Sequence, residues 1–172
     1  SDHLELPLNI LFPISKKTSF QAIGGDTKIV EPSSLTIQDQ KGIQAIAGII
    51  GGHESSVSKN TKNVAVEAAF FNPDTIANQA RKYGLATDAS HRFERGVDPA
   101  LQQKALARFL FLLKDVAQYD SIDCYEGSSV KLKPRAISLN VERFNNFSGL
   151  SLSAKKIRLF LETLGFTSSP TK

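Results

Sequence analysis

The chain has 172 residues, of which 41% are hydrophobic and 22% charged, and its net charge is +4. This length and balance are typical of one globular domain, or of one domain with part of another. No apolar run approaches the ~18 residues of a membrane span, and one cysteine, Cys124, excludes an internal disulfide and a multi-thiolate zinc site. Without a signal-peptide pattern we expect a cytoplasmic protein, and the lack of methionine suits a piece of a longer one.

The first 71 residues carry the strand signals. Segments 6–12, 20–23, 27–30 and 43–50 are rich in Ile, Leu, Val and Phe, and clusters of Gly, Pro, Asp and Ser separate them. A fifth segment, NVAVEAAFF at 63–71, follows a polar loop and is almost continuously apolar. We therefore predict five strands.

Helix signals follow these strands. Asn72-Pro73-Asp74 is typical of a helix start, and Gly84 supplies the end of that helix. A second start at Asp98-Pro99 precedes an apolar stripe with helical spacing, which we expect to be buried. The stripe consists of Leu101, Ala105, Phe109, Leu112, Leu113 and Val116. Together the elements predict an α+β fold in which layered β-sheets pack against helices.

A domain boundary is predicted near Gly127–Pro134. Beyond it we expect a strand at 136–140 and a capped helix from Ser153 to Leu164. This last piece holds too few elements for a core of its own, because domains below about 40 residues rarely fold alone. It therefore either packs on the first part or begins a further domain.

Glu67 is the first candidate for a catalytic or ligand-binding residue. It lies inside VAVEAAFF, a segment whose other residues favour burial. A buried carboxylate costs several kcal/mol unless a donor meets it. The donor can be internal, such as Arg92 or Arg95, or it can be a hydroxyl or amine of a ligand.

Two loop segments are further candidates. Gly51-Gly52 ends a predicted strand, and such glycines serve either a bulge or tight turn, or the close approach of another backbone or a flat ligand. The stretch GLATDASHRFERGVDP at 84–99 can begin a helical turn capped by Asp88 or Ser90. Its cations can bind phosphate or pair with neighbouring acids. The three histidines have no zinc-like spacing, and we expect no metal site.

Three segments carry a resemblance to a known family. They are IAGIIGGHES (46–55), NVAVEAAFFNPDTIANQARKYGLATDASHRFERGVDPALQ (63–102) and the helix after it. They resemble the editing domain of the bacterial phenylalanyl-tRNA synthetase β subunit in residue order and spacing. Residues 135–166 resemble the start of the next β-subunit domain, a small winged-helix-like module. The resemblance thus divides the chain into an N-terminally shortened editing domain at 1–130 and the start of the second module at 135–172.

The resemblance implies an activity. The family attaches phenylalanine to its tRNA in the α subunit and hydrolyses mischarged tyrosyl-tRNA(Phe) in the β subunit, in support of protein synthesis. Because phenylalanine and tyrosine differ by one hydroxyl, an editing site needs a group that bonds this hydroxyl. Glu67 matches the family residue with that role. ATP and magnesium belong to the ligation site, which the resemblance places outside this chain.

The editing pocket implied by the resemblance comprises Gly51, Glu67, Thr87 and Ala89. Gly51 and Ala89 are small, as walls beside an aromatic ring must be, and Thr87 offers a hydroxyl near the ring or the ester. No nucleophile is assigned, and a positioned water is expected to attack the ester. Arg92 and Arg95 either lock the polar connection through neighbouring acids or face the tRNA, and we favour the first reading.

The expected partners are tRNA(Phe) and the synthetase α subunit in an (αβ)₂ heterotetramer, with no membrane. A different function class stays open beside the enzyme. A domain of the same fold can bind tRNA or protein without catalysing a reaction.

Overall fold

A computed structural model describes residues 9–11, 14–127 and 135–169. The chain forms two compact units, Ser1–Val130 and Lys131–Lys172. Helices and small antiparallel sheets confirm the α+β class. None of the helices in the described ranges is both long and apolar enough for a membrane span. The predicted boundary falls mostly on 128–134, outside the described residues, and the domain that each unit represents stays a prediction.

Six short strands form in the described part of the first unit. They are β1 (Asn9–Leu11), β2 (Thr18–Gln21), β3 (Thr27–Val30), β4 (Thr36–Asp39), β5 (Gly42–Ile46) and β6 (Ile50–Gly51). A four-stranded sheet has the order β1-β4-β5-β6, and β2 and β3 form a separate hairpin. Every pairing is antiparallel. An isolated bridge between Ala22 and Gly52 joins the hairpin to the larger sheet just after β6.

Four helices follow among the described residues of the first unit. They are α1 (Pro73–Ile76), α2 (Gln79–Lys82), α3 (Asp88–Phe93) and α4 (Gln102–Val116). The Asn72 side chain accepts a hydrogen bond from the Asp74 N–H, as its position at a helix start predicts. The single helix expected up to Gly84 is divided because Asn78 adopts a left-handed conformation with φ of 62°. Helices α1 and α2 still bury Ile76 and Ala80 on the core side.

The core of this unit combines residues of both sheets with residues of the helical segment. It contains Ile14, Phe20, Ala22, Val30, Ile37, Ile46, Ala47, Ile49, Phe71, Ile76, Ala80 and Tyr83. The Tyr83 hydroxyl accepts from the Glu31 N–H at 3.0 Å and also bonds the Ser34 hydroxyl. This buried polar contact fixes the end of α2 against the segment between β3 and β4.

Several predicted strands are wrong. Residues 63–71 and 136–140 form no strand in the described structure, because a strand requires the backbone of a partner and neither segment pairs with one there. The predicted strand 43–50 is divided into β5 and β6 by a turn at 47–49. The prediction also missed β4, which lies between the predicted strands 27–30 and 43–50. Of the predicted strand 6–12, the structure describes only the part in β1.

The apolar stripe of α4 is not buried, contrary to the prediction. No residue of this helix is buried, and the stripe residues Leu112 and Val116 are 47% and 81% exposed. Amphipathic spacing indicates that one face of a helix is apolar, but it does not identify what covers that face.

The second unit contains two helices in its described part. Helix α5 spans Val141–Ser148 and helix α6 spans Ala154–Thr163. The Ser153 side chain caps α6 by accepting from the Lys156 N–H, and Ile157 is the buried residue of this helix. The expected helix from Ser153 to Leu164 is therefore present.

Candidate functional site

The Gly-Gly turn is held by backbone hydrogen bonds on two sides. The Ile23 N–H donates to the Gly51 carbonyl at 3.0 Å, and the His53 N–H donates to the Gln21 carbonyl at 2.9 Å. On the other side, the Gly52 N–H donates to the Gln44 carbonyl at 2.8 Å. The turn therefore has a fixed position between the hairpin and β5.

Different neighbours restrict a side chain at the two glycine positions. A Cβ at Gly52 would lie 2.9 Å from the Gln44 carbonyl oxygen, which is part of a paired strand and cannot move cheaply. A Cβ at Gly51 would instead lie 3.1 Å from Cδ1 of Ile23, the far end of a flexible side chain. At Gly52, therefore, the close approach is that of the Gln44 backbone. At Gly51, a Cβ would meet only the side chain of Ile23.

Thr87 begins α3 and connects it to the chain just before β6. Its hydroxyl donates to the Ile49 carbonyl at 2.7 Å and accepts from the Ser90 N–H at 3.0 Å. The Ser90 hydroxyl accepts in turn from the Thr87 N–H at 3.1 Å and donates to the Thr87 carbonyl at 2.9 Å. These bonds form a capping box and bring Thr87 beside the segment that enters Gly51.

The identity of this cap corrects one prediction and limits another. The helical turn is present, but Thr87 caps it rather than Asp88 or Ser90. Because the hydroxyl proton of Thr87 is committed to Ile49, this hydroxyl has no proton left for a ligand and can only accept a further hydrogen bond. Ala89 lies in the first turn of α3, and its methyl group is exposed.

Glu67 lies in an exposed segment rather than in a buried strand. Although the residue as a whole is exposed, surrounding protein atoms displace part of the water from its carboxyl and raise its pKa above the ordinary value of 4.5. Within the described ranges, the carboxyl has neither a hydrogen-bond donor nor an ion pair. The alternative in which Arg92 or Arg95 neutralises Glu67 is therefore wrong.

The arginines of the polar connection differ in their contacts. Arg95 Nη1 donates to Glu94 Oε1 at 3.0 Å and to the His91 carbonyl at 2.9 Å, so this side chain is locked locally. Asp98 does not take part in that lock, because its carboxylate accepts from the Ala100 N–H. Arg92 is exposed. An open depression of about 620 Å³ is lined by Asp88, His91, Arg92, Arg95, Gly96 and Val97.

An aromatic pair that the sequence did not single out connects the segment of Glu67 to α3. The rings of Phe71 and Phe93 have centroids 5.0 Å apart, and both lie against Gly48. The side-chain amide of Gln102 also donates to the Ala69 carbonyl at 3.2 Å. Phe71 is only four residues from Glu67, and the buried end of that segment is therefore held beside α3. The signal in the sequence was the Phe-Phe pair closing an apolar run.

Comparison with known proteins identifies the domain type. Residues 4–118 match the B3/4 domain family. Curated relatives include the phenylalanine–tRNA ligase β subunits of Idiomarina loihiensis, Legionella pneumophila (strain Lens) and Nitrosococcus oceani, with 40%, 36% and 41% identity. The matches cover 82%, 92% and 79% of this chain, but only 18%, 20% and 17% of those proteins. The resemblance to the β subunit is thereby confirmed, and the chain spans about a fifth of the length of the relatives.

Proposed function

The chain belongs to the B3/4 domain family, and from this premise we propose that it is the editing part of a phenylalanine–tRNA ligase β subunit. It hydrolyses the ester of mischarged tyrosyl-tRNA(Phe) and so supports accurate protein synthesis in the cytoplasm. Its partners are tRNA(Phe) and the α subunit in an (αβ)₂ assembly. In the same proposal the first unit is the editing domain and the second is the start of a winged-helix-like module.

The Glu67 carboxyl is the observation that carries this proposal. An internal cation would satisfy a structural carboxylate, yet Glu67 has no such partner in the described part of the chain. Nearby protein atoms raise its pKa by displacing part of its water, and the residue is exposed to a ligand. Its carboxylate can accept a hydrogen bond from a tyrosine phenol.

One hydrogen bond of this kind is enough to discriminate tyrosine esters from phenylalanine esters. An apolar pocket rejects an added hydroxyl poorly, whereas a site that bonds the hydroxyl rejects the analogue without it by a factor of about 10⁴–10⁵. With phenylalanine bound, Glu67 would keep its desolvation cost and find no donor. Tyrosine esters would therefore be hydrolysed and phenylalanine esters spared.

The other proposed pocket residues shape the site. Gly51 and Ala89 leave room for a ring, and Thr87 fixes the start of α3 against the strand before Gly51. Since the Thr87 proton is engaged with Ile49, we assign Thr87 a positioning role and no role as nucleophile. A water held near the ester carries out the attack, and its activation is assigned to no side chain of this chain.

ATP and magnesium serve ligation in the proposed whole enzyme. Among the residues that the structure describes, no group of three or more His, Cys, Asp or Glu side chains fits a metal ion. We therefore derive no step of the editing reaction through either of them.

The proposal is tested by deacylation of tyrosyl-tRNA(Phe) with an assembled ligase that contains this chain. Glu67→Ala removes the phenol acceptor and should lower kcat/KM about tenfold to hundredfold, the value of a hydrogen bond to a charged group. Glu54→Ala is the matched control, because Glu54 is an exposed glutamate just after the Gly-Gly turn. It should leave the rate within about twofold of the wild type.

The same assay separates the two function classes. Slow hydrolysis with Glu67→Ala and normal hydrolysis with Glu54→Ala support the editing site. Equal rates in the wild type and both variants would overturn the assignment of Glu67. A wild-type ligase that binds tyrosyl-tRNA(Phe) but does not hydrolyse it would make the domain a binding module.

A further inference from the structure

We propose that Ile23 forms the apolar wall of the tyrosine pocket beside Gly51, and that position 51 is glycine because the Ile23 side chain lies over it. This inference rests on the proposed function. It adds a specificity-determining residue that neither motif spacing nor apolar periodicity indicated, because Ile23 lies in the turn between β2 and β3, about 30 residues before the Gly-Gly turn.

The backbone gives Ile23 a fixed place next to Gly51. Its N–H donates to the Gly51 carbonyl at 3.0 Å, and the neighbouring Ala22 forms a bridge with Gly52. Ala22 and Phe20 are only 1% and 4% exposed, so the residues that lead into the turn of Ile23 are anchored in the core. The backbone of Ile23 is therefore held beside Gly51 by these buried neighbours and by its own hydrogen bond.

The side chain of Ile23 lies where a Cβ at Gly51 would need space. That Cβ would be 3.1 Å from Cδ1 and 3.9 Å from Cγ1 of Ile23. Apart from the adjoining residues of the chain, these are the atoms of the described structure within 4 Å of the position. A methyl group at residue 51 would thus displace the end of Ile23 and touch nothing else.

The exposure of Ile23 indicates a surface for a ligand. The residue is 53% exposed despite its anchored backbone, and aromatic ligands bind against aliphatic side chains held in this way. As a β-branched residue it is restricted at χ1, so a displaced Cδ1 moves mainly by rotation about χ2. A methyl group at residue 51 would therefore push Cδ1 across the wall on which the tyrosine ring rests.

A double-mutant cycle with tyrosyl-tRNA(Phe) deacylation by the assembled ligase tests this arrangement. Gly51→Ala should lower kcat/KM about twofold to tenfold through the displaced isoleucine. Ile23→Val removes the Cδ1 atom at 3.1 Å and should restore the activity of Gly51→Ala to within about twofold of Ile23→Val alone. Ile29→Val is the matched control, since Ile29 is also 53% exposed but lies in the partner strand of the hairpin. It should not rescue Gly51→Ala.

A second measurement separates a wall from a residue that only stabilises the fold. Ile23→Ala should raise KM for tyrosyl-tRNA(Phe) severalfold with little change in kcat, because it removes contact made equally in the bound and transition states. Thermal unfolding of each variant identifies losses caused by unfolding. An unchanged KM in folded Ile23→Ala would overturn the inference.

The outcomes also separate this inference from the proposed function. If Glu67→Ala slows hydrolysis as expected but Ile23→Val fails to rescue Gly51→Ala, Ile23 is not the wall and the editing function is retained. If the wild-type ligase hydrolyses no tyrosyl-tRNA(Phe), both the editing function and the role of Ile23 are wrong. Rescue by Ile23→Val and not by Ile29→Val supports the inference.

Discussion

Replacing Thr87 with valine should weaken the link between α3 and the turn that leads into β6. Valine has a shape close to that of threonine but lacks the hydroxyl, and both hydrogen bonds of Thr87 Oγ1 would be lost. The Ser90 N–H would lose its cap, at a cost of about 0.5–2 kcal/mol. The Ile49 carbonyl would lose its donor in a residue only 3% exposed, at a cost of about 1–3 kcal/mol.

The two costs together predict a fall of about 1.5–5 kcal/mol in the unfolding free energy. In urea unfolding followed by circular dichroism, this fall lowers the midpoint by about 0.8–2.5 M, with an m value of about 2 kcal/mol/M. Thr87→Ser keeps the hydroxyl and should stay within about 1 kcal/mol of the wild type, since serine caps helices as well as threonine does. A Thr87→Val protein as stable as the wild type, or a Thr87→Ser protein as unstable as Thr87→Val, would refute the reasoning.

Three further predictions concern stability. Because the Glu67 pKa is raised in the folded chain, the contribution of Glu67 to stability is largest below its unfolded pKa and is lost as the pH rises through its folded pKa. Glu67→Gln should remove this part of the pH dependence in urea titrations at several pH values. Gly52→Ala should cost about 1–3 kcal/mol in urea unfolding, because its Cβ would lie 2.9 Å from the Gln44 carbonyl oxygen. Tyr83→Phe should lower the free energy of unfolding by about 1–3 kcal/mol in thermal unfolding, because it removes the buried hydroxyl. Tyr125 is 77% exposed, and Tyr125→Phe should lower the same free energy by less than about 0.5 kcal/mol. Equal losses would contradict the buried hydroxyl contact.

Local signals in the sequence were sufficient for two helix starts, but α4 begins at Gln102 and not at the predicted Asp98-Pro99. Asn72 and Ser153 cap the helices that they were predicted to begin, because a cap depends on residues within one turn. The choice of cap for α3 was wrong, since Thr87, Asp88 and Ser90 are all competent and only the contact of Thr87 with Ile49 decides among them.

Non-local contacts were beyond the sequence. The segment 63–71 has strand propensity but no paired partner in the described structure, and β4 forms because β1 and β5 pair with it despite its polar residues. The same limit applies to the candidate site. The sequence indicated Gly51 and Glu67, but Ile23 depends on a hydrogen bond between residues 28 positions apart in the chain.

The most direct measurement of the central claim is a crystal structure of the assembled ligase with an adenosine that carries tyrosine through a non-hydrolysable amide. We expect the phenol oxygen within hydrogen-bonding distance of the Glu67 carboxyl and the ring beside Gly51 and Ile23. A ring bound elsewhere, or a Glu67 carboxyl that points to bulk water in the complex, would contradict the account.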